Sequence, residues 1–587
     1  MAKDLPDPHI ELENSEPHIE SVPVTTAGLV ETEPGPLPIP VAATATAEAQ
    51  PSERRHIVRS ATLVMLGNLG SSVMGMIRQI VVASFGDAVA GPFVSAISPA
   101  QTFNDFLING SINGALIPTF NDYAAPEKRD ELRRLVFTLV NLVLILMAVC
   151  AIGFLFIAPW FVHLIVGYNK NVHLGDRTIS QFLLTVQFAQ IIFFSLLALG
   201  PFAVLQAALF ARKEFGWPAV ATASYHAGII LGAIAGALIG AHYMGYLGLA
   251  VGVVVGAFGE IALLIPGLRN QRLRYMFVID LKHPALRRIL RLYAPVAFSF
   301  LVSDFFIFLD QHLATTAPGD HSANYAAMRF STTLIQFPGG LVATALSVAV
   351  LPTLAEHARA GHLEYFKKTL LLGFRLGLLL MVPAAAGLIV LSLPIVTLLF
   401  QHGQYHFYNS QLTSLALQLY AYQLPFVAID QLLQSAFYAR KNTITPVVVG
   451  FVGFGGYLAV ALPFWQSIGM PALVFANTVQ NSLHAIILLI LLRMAIGSIH
   501  IRQMLPALLK ICLATLAMVA VGWGGQFLLG QLPFFRLGEN TSLIARLLMV
   551  IILGGLAAGV YIGMVILLKV EEVGLVKSAV LAKLGKR

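Results

Sequence analysis

The chain of 587 residues is 57% hydrophobic and 11% charged, with a mean hydropathy of +0.78. Soluble globular proteins carry about 25% charged residues, so this composition excludes a soluble protein and predicts an all-α polytopic membrane protein. The net charge of +8 does not predict nucleic-acid binding, because the basic residues lie in short loops between apolar segments. Cys150 and Cys512 lie within apolar runs, which argues against a disulfide framework or a zinc site.

Residues 1–55 are rich in Pro, Glu, Ala and Thr and contain the acidic run KDLPDPHIELENSEPHIE. Because this segment lacks an apolar core, we expect a disordered tail and not a signal peptide. Arg54, Arg55 and Arg59 flank the start of the first apolar span, which predicts a cytoplasmic location for the tail by the positive-inside rule.

The first two spans carry polar side chains where a lipid-facing helix carries none. Arg78 lies well inside the first span. A guanidinium near the bilayer midplane costs about 2.5–3.5 kcal/mol on insertion scales, so it normally faces a protein interior or a watered cavity. We therefore predict that this helix pair lines a polar chamber, to which the second span contributes Asn104, Asp105, Asn109 and Asn113.

About 20 apolar residues are needed for each crossing, and by this measure the chain has about fourteen transmembrane helices. They cover approximately residues 57–84, 90–118, 133–160, 180–210, 216–240, 244–266, 288–314, 322–353, 368–392, 411–438, 444–466, 470–493, 504–530 and 542–569. Every second loop is basic, with Lys128 to Arg134, Arg212 and Lys213, Arg269 to Arg291, Arg359 to Lys368, Arg440 and Lys441, and Arg493 to Arg502. This alternation predicts that both termini are cytoplasmic.

An internal repeat divides the chain. The segment ALIPTF at 115–120 recurs as AVLPTL at 349–354, and LQAALFARK at 205–213 recurs as LQSAFYARK at 433–441. Each half contains six spans, an even number, so the halves are predicted to be parallel lobes related by an axis along the membrane normal.

The predicted organisation is an N-terminal six-helix lobe at 56–268, a C-terminal six-helix lobe at 292–496, and two extra helices with a basic tail at 497–587. Residues 269–291 form a basic linker between the lobes. We expect an interfacial helix over 270–291 that binds anionic lipid head groups, with a solvated linker as the alternative.

Duplicated six-span halves predict a substrate site at their interface near the membrane midplane, which opens to either side as one lobe rocks against the other. The architecture therefore indicates a transporter. A membrane scaffold that transports nothing is the alternative, and the charge of Arg78 counts against it, because a scaffold does not need intramembrane charge.

The first span, SSVMGMIRQIVVASFG, resembles the first-helix signature of the MurJ/MviN lipid II flippases, broadly S-R-x-x-G-x-x-R-D followed by an apolar run and F-G. The segments GSINGALIPTFNDY, LQAALFARKEFGWPA, LIQFPGGLVATALSVAVLPTLAEHA, LLFQHGQY and FYARKNTITPVV are similar to family segments in the same order. The resemblance implies two lobes plus a C-terminal helix pair, kinship with MATE transporters and polysaccharide exporters, and outward movement of undecaprenyl-diphosphate-linked peptidoglycan precursor across a bacterial plasma membrane.

Several positions depart from the family pattern. Ser72 and Gln79 stand where the first-helix pattern has an arginine and an aspartate, and Thr333 stands where span 8 has an arginine. Asn104-Asp105 and Asn109 stand roughly where span 2 has an Arg-Arg pair and an Ala-Glu-Gly. The cavity is therefore expected to be less cationic than the family pattern.

Arg78 and Arg329 remain as candidate substrate-binding residues, since a guanidinium can donate two parallel hydrogen bonds to phosphate oxygens. Arg329 precedes Thr333 by four residues and so lies on the same helix face. As alternatives, Arg78 forms a structural ion pair with Asp105 or Asp304, and Arg329 extends to the membrane surface.

Carboxylates inside spans are candidates for binding a coupling ion or for gating, and they are Glu260, Asp304, Asp310 and Asp430. The resemblance supports Asp310, which matches an aspartate frequent in the family. A polar contact between helices is the alternative for each of these acids. For His226 and His484 we expect such helix contacts.

The sequence contains neither a G-x-x-x-x-G-K-[ST] phosphate loop nor a catalytic Ser/His/Asp or Cys/His set, so we expect a transporter and not an enzyme. We expect no cofactor or metal, and energy from a coupling cation or the membrane potential. The predicted function is a monomeric lipid II flippase that contacts anionic lipids and no nucleic acid. The alternatives are an exporter of another polyprenyl-diphosphate-linked saccharide and an envelope-assembly scaffold.

Overall fold

The computed structural model describes residue 67 and residues 70–105, 115–123, 125–167, 170–174, 177–240 and 243–574. The predicted tail 1–55 and the predicted site residues Asn109 and Asn113 lie outside this part of the chain. The side chains of Asp105 and Asp304 also lie outside it, although both residues belong to described helices.

Regular structure in the described residues is helical apart from one short hairpin, β1 (Asn171–Leu174) with β2 (Arg177–Ser180), which pairs Asn171 with Ser180. The helices are α1 (Gly70–Ala83), α2 (Asp87–Asp105), α3 (Ile117–Asn121), α4 (Arg129–Ile165), α5 (Gln181–Phe193), α6 (Leu196–Ala211), α7 (Gly216–Ile239), α8 (Tyr243–Tyr246), α9 (Gly248–Asn270), α10 (Pro284–Thr316), α11 (His321–Pro338), α12 (Ala345–Arg359), α13 (Leu363–Val390), α14 (Ser392–Phe400), α15 (Phe407–Ala421), α16 (Leu424–Ala439), α17 (Ile444–Ile468), α18 (Met470–Ile496), α19 (Leu505–Gly530) and α20 (Leu543–Leu567). A π-helical turn, Gly339–Thr344, joins α11 to α12.

Within the described residues, nine helical segments are long and apolar enough to cross a membrane, and the pair α15 and α16, bent by 44°, makes a tenth. These ten correspond to ten of the predicted spans. The other four predicted spans fall on α1, on α2 with α3, on α10, and on α11 with α12. Those helices carry Arg78, Asn104, Asp310 and Arg329, so polar side chains are concentrated on the less apolar helices of the bundle.

The repeat is visible in the backbone. Lys213 and Lys441 both adopt left-handed conformations, with φ of 59° and 60°, directly after α6 and α16. In both places the next amide donates to the carbonyl five residues earlier, at 2.9 and 3.0 Å, which is the helix-ending motif usually associated with glycine. Each of these helices also follows a break, at 194–195 and at 422–423, so the two halves fold alike.

We give names to the two ends of the bundle. The basic end carries the loops around Lys128, Arg212 and Arg440. The opposite end, where the lobes are in contact, is called the closed end and carries the loops around Lys170 and Gly403. The lobes share one apolar core toward the closed end, which contains Phe93 and Phe188 of the first lobe with Phe330 and Phe400 of the second. Toward the basic end the cores are separate, with Phe120 in the first lobe and Phe374 in the second.

Close backbone contacts hold the lobes together at the closed end. The Gln404 amide donates to the Ser84 carbonyl at 2.9 Å. Gly403 has a φ of +59°, and a Cβ atom there would lie 2.4 Å from the Ser84 oxygen. Gly86 of the first lobe has a φ of +75°, and a Cβ atom there would lie 2.8 Å from the Gln404 carbonyl oxygen. Only glycine fits both positions, because a side chain would clash with backbone atoms and strain φ.

The linker differs from the expected interfacial helix over 270–291. The chain between α9 and α10 has no regular structure over 273–280 and runs along α4. Asn141 Nδ2 donates to the Val278 carbonyl at 2.9 Å, and Thr138 Oγ1 accepts from the Asp280 amide at 3.3 Å. These side chains bind the backbone in an extended form, and helix α10 begins only at Pro284, a residue suited to the first turn.

The two helices outside the repeat, α19 and α20, pack on the second lobe. Arg546 Nη1 donates to the Gln401 carbonyl at 2.6 Å and to the Thr397 carbonyl at 3.2 Å, at the end of α14. Tyr561 donates to the Leu379 carbonyl of α13 at 2.6 Å. These hydrogen bonds pair polar groups that would have no partner in lipid. They therefore hold the helix pair against the second lobe.

Candidate functional site

Arg78 of α1 is buried inside the first lobe, with only 3% of its surface exposed. Tyr225 and His226 of α7 lie close enough to interact with it electrostatically. The expectation that Arg78 borders a watered chamber is therefore wrong for this conformation, because the residue is buried. A substrate can reach Arg78 only if the helices around it move apart.

Arg329 of α11 lies between the two lobes. Its Nη2 donates to Gln101 Oε1 of α2 at 3.3 Å, and 7% of the residue is exposed. The alternative that Arg329 extends to the membrane surface is excluded by this burial. The structure thus places one guanidinium at the junction of the halves, where a substrate of a two-lobed transporter is expected to bind.

A polar group that we name the seam cluster surrounds Arg329, and its members are Gln101, Asp310, Arg329, Tyr420 and Tyr457. The Tyr457 hydroxyl of α17 donates to Asp310 Oδ1 of α10. Tyr420 of α15 is 2% exposed and lies within electrostatic range of both Arg329 and Asp310. The cluster therefore draws on five helices and places a cation and a carboxylate near the same buried tyrosine, Tyr420.

Two positions that depart from the family pattern meet across the lobes. Gln79 Nε2 of α1 donates to Thr333 Oγ1 of α11 at 3.5 Å. The Thr333 hydroxyl in turn donates to the carbonyl of Arg329 at 3.1 Å. This contact is neutral, whereas the family pattern has an aspartate at the first position and an arginine at the second.

The remaining candidates lie apart from the seam cluster. Asn104 of α2 is half-buried, and its Oδ1 has no hydrogen-bond partner among the described residues. Glu260 of α9 is buried in the first lobe, and its Oε2 likewise lacks a partner in the described part. Asp430 of α16 binds His484 of α18 at 2.6 Å inside the second lobe. The structure thus places Arg329 and Asp310 each within electrostatic range of Tyr420, whereas Arg78, Glu260 and Asp430 lie inside the individual lobes.

Sequence reasoning did not find Gln101, Tyr420 or Tyr457. Each is a neutral side chain in an apolar span, and such residues are common in transmembrane helices without a functional role. The expected helix contact of His484 is confirmed. No group of three or more His, Cys, Asp or Glu residues that could hold a metal occurs within the described residues.

Comparisons with known proteins agree with this fold. The family described as "Lipid II flippase MurJ" matches residues 81–535. A probable lipid II flippase MurJ from Bdellovibrio bacteriovorus is 26% identical over 529 residues, which cover 89% of this chain and 97% of that protein. A solved structure of "Lipid II flippase MurJ, inward closed conformation" is similar with a TM-score of 0.65 at 20% identity, covering 86% of this chain and 99% of that chain.

An inward-facing MATE family multidrug resistance transporter of the MOP superfamily is similar with a TM-score of 0.60 at 14% identity, covering 73% of this chain and 95% of that chain. At such low identity the two solved structures bear on the fold alone. They confirm the predicted two-lobed helical architecture. Since the family match extends over most of the sequence, the chain belongs to the lipid II flippase MurJ family.

Proposed function

We propose that this chain moves lipid II from the cytoplasmic to the outer leaflet of a bacterial plasma membrane by alternating access. One observation carries the proposal beyond family membership: the lobes share a core toward the closed end and have separate cores toward the basic end. Two lobes that are joined at one end only can rock about that contact, which is the motion that alternating access requires.

The basic end is the cytoplasmic end in this proposal, because short loops rich in Lys and Arg stay in the cytoplasm. The closed end then faces outward, and the conformation is closed to the outside. Both chain termini lie in the cytoplasm, and the protein acts as a monomer, since each chain supplies both lobes.

The diphosphate of the substrate binds at the seam cluster, where the guanidinium of Arg329 matches its oxygens. Arg78 becomes a second phosphate ligand when α1 moves. The unpartnered Oδ1 of Asn104 supplies an acceptor for hydroxyl or amide hydrogens of the glycan. The polyprenyl tail stays in the bilayer, because burying it in a polar seam would lose its contact with lipid.

Leaflet distribution tests this proposal. Depletion of the full chain from cells is expected to accumulate lipid II in the inner leaflet, and purified protein in vesicles is expected to flip labelled lipid II. Arg329→Gln should abolish flipping, while Arg493→Gln, a change at an exposed arginine near the end of α18, should leave it intact. An unchanged leaflet distribution after depletion would support the scaffold alternative.

Export of another polyprenyl-diphosphate-linked saccharide is the second candidate, and the neutral contact between Gln79 and Thr333 favours it. Fewer charges between the lobes suit a head group with fewer charges than the pentapeptide-bearing lipid II. Flipping assays with lipid II and with a polyprenyl-diphosphate glycan that lacks the peptide distinguish the two. Preference for the peptide-free substrate would replace the first proposal with the second.

A further inference from the structure

His484 of α18 and Asp430 of α16 form a pair inside the second lobe, separate from the seam cluster. His484 Nδ1 lies 2.6 Å from Asp430 Oδ1, and His484 Nε2 lies 3.1 Å from the carbonyl oxygen of Pro446 in α17. The side chains are 9% and 14% exposed. Both ring nitrogens of His484 are therefore directed at oxygen atoms.

Both contacts can be hydrogen bonds at the same time only with one particular number of protons on the pair. A backbone carbonyl can only accept a hydrogen bond, so a hydrogen bond to Pro446 requires a hydrogen on Nε2. The 2.6 Å contact at Nδ1 also needs a hydrogen between the two atoms, either on the ring or on the carboxyl group. In both cases the pair holds one proton more than a neutral imidazole beside a carboxylate, and its net charge is zero.

Loss of that proton leaves one ring nitrogen of His484 without a hydrogen. The remaining hydrogen lies either on Nε2, where it keeps the contact with Pro446, or on Nδ1, where it keeps the contact with Asp430, and it cannot serve both. In either case one oxygen loses its hydrogen bond, and the largely buried pair carries a net charge of −1. The hydrogen bonds that join α16, α17 and α18 at this point therefore weaken when one proton leaves.

A row of polar side chains leads from the pair toward the basic end. Gln434 Nε2 donates to Asp430 Oδ2 at 2.7 Å, and the Tyr438 hydroxyl donates to Gln434 Oε1 at 3.5 Å. The three residues are four apart in sequence and so share one face of α16. Tyr438 precedes Arg440 by two residues, so the row of side chains leads toward the basic end.

The helices around the pair add few titratable groups. At the surface of α16, α12 contributes the hydroxyl of Ser347 and α13 contributes Gly373, while α17 contributes the carbonyl of Pro446. Tyr438 on α16 itself interacts electrostatically with Asp430. In the described part of the chain, no lysine or arginine forms an ion pair with Asp430. A second charge that would hold the carboxylate permanently ionised is therefore absent from these contacts.

We propose that Asp430 and His484 form a proton-binding site that takes up and releases one proton in each transport cycle. The inference rests on the proposed transport function. Both ring nitrogens of His484 face oxygen atoms in this structure, which is the arrangement of the proton-loaded form with the outward end closed. The proton leaves to water at the basic end as substrate enters, and another is bound when the lobes open at the closed end. Outward transport of lipid II is thereby coupled to inward movement of one proton.

Vesicles with an imposed pH gradient test the coupling. Lipid II flipping by the full chain should accelerate when the gradient drives protons against the direction of lipid transport. Asp430→Asn and His484→Gln keep hydrogen-bonding side chains and should still flip lipid II without a gradient, but lose the acceleration. His163→Gln, at an exposed histidine of α4, should respond like the unchanged chain.

The outcomes separate this inference from the function itself. Flipping that does not respond to the gradient, or a response that persists in both variants, overturns the proton site and leaves the flippase intact. If no vesicle flips lipid II, the proposed function fails, and the site is then judged from NMR of the purified chain. NMR should show one proton shared between Asp430 and His484. An ionised carboxylate beside a neutral ring under every condition measured overturns the proposal.

Discussion

Lys170 Nζ donates to Asp320 Oδ2 at 2.7 Å, and this ion pair joins the hairpin of the first lobe to the start of α11 in the second. Asp320 also accepts from Ser322 Oγ at 2.9 Å and caps α11 through the Ala323 amide. Ser322 in turn accepts from Gln181 Nε2 of the first lobe at 2.9 Å. One carboxylate therefore organises this group of polar contacts between the lobes.

Replacing Asp320 should loosen the closed end in two steps. Asp320→Asn keeps the helix cap and loses the charge, and we expect it to weaken the contact by about 0.2–1 kcal/mol, since Lys170 is largely exposed. Asp320→Ala also removes the cap, which is worth about 1 kcal/mol more. Distances between spin labels across the closed end measure the opening. Equal effects of both variants would contradict the role of the cap.

The same ion pair should be insensitive to moderate pH. Burial raises the pKa of the Asp320 carboxyl, but hydrogen bonds from Lys170 and Ser322 more than offset this, so its pKa lies below the usual value. The hydrogen bond to Asp320 raises the pKa of Lys170. The carboxylate's contribution is lost only as pH falls through its lowered pKa, and the ammonium's only as pH rises through its raised pKa.

We therefore expect spin-label distances at the closed end to stay constant between about pH 5 and 9 when Asp430 is replaced by Asn. Any opening in this range in the unchanged chain would then originate at the pair of Asp430 and His484. An opening of the Asp430→Asn variant near neutral pH would show that another group controls the closed end.

Arg329→Lys should impair transport although the charge is kept. A lysine ammonium is a point charge and cannot present the planar fork of a guanidinium to a diphosphate. Hydrogen bonds to charged groups are worth about 1.5–3 kcal/mol, so we expect flipping to fall by roughly 10- to 100-fold. Arg493→Lys serves as the control. If the Arg329→Lys variant flips lipid II at the wild-type rate at equal expression, Arg329 does not bind the substrate.

Gln79 and Thr333 offer a charge-restoration test. Gln79→Asp and Thr333→Arg should each destabilise the chain, because each leaves a new charge at the lobe interface without its partner. In the double variant the two charges meet, and we expect a favourable coupling energy of about 1 kcal/mol or more in a double-mutant cycle. Thermal unfolding in detergent measures all four proteins. Additive effects would show that the two positions do not interact.

Glycines pack α7 against α9 so closely that alanine does not fit. A Cβ atom on Gly232 would lie 2.3 Å from the carbonyl oxygen of Gly248 and 2.5 Å from Cα of Gly252. Gly232→Ala should therefore destabilise the first lobe by about 1–3 kcal/mol. Gly455→Ala in α17, where nothing lies within 4 Å, is the matched control and should be neutral or slightly stabilising. Equal melting temperatures for both variants would contradict the close packing.

Composition and local patterns were enough to predict the membrane class, the helices and the duplication. Apolar length decides whether a segment spans a bilayer, and this is a property of neighbouring residues. The repeated motifs around Lys213 and Lys441 likewise end their helices through local hydrogen bonds. The sequence repeat therefore gives the same backbone conformation in both halves. The linker over 270–291 was predicted wrongly, because its conformation depends on side chains of α4.

Site chemistry was predictable only in part. Arg329 and Asp310 stand out in the sequence because a charge inside a transmembrane span costs free energy and usually marks a functional residue. Their partners Gln101, Tyr420 and Tyr457 are neutral and lie on other helices, so no spacing in the sequence reveals them. The burial of Arg78 near Tyr225 and His226 of α7 was hidden for the same reason.

What the sequence by itself determined is that this chain spans a membrane as two duplicated halves with charges inside. Only the tertiary structure decided which end is closed, which charges meet, and that Asp430 faces His484. Insertion into a bilayer depends on the sum of residues along one segment, whereas hydrogen bonds between helices depend on rotation and depth of each helix relative to its neighbours. Those two quantities are set by packing of the whole bundle.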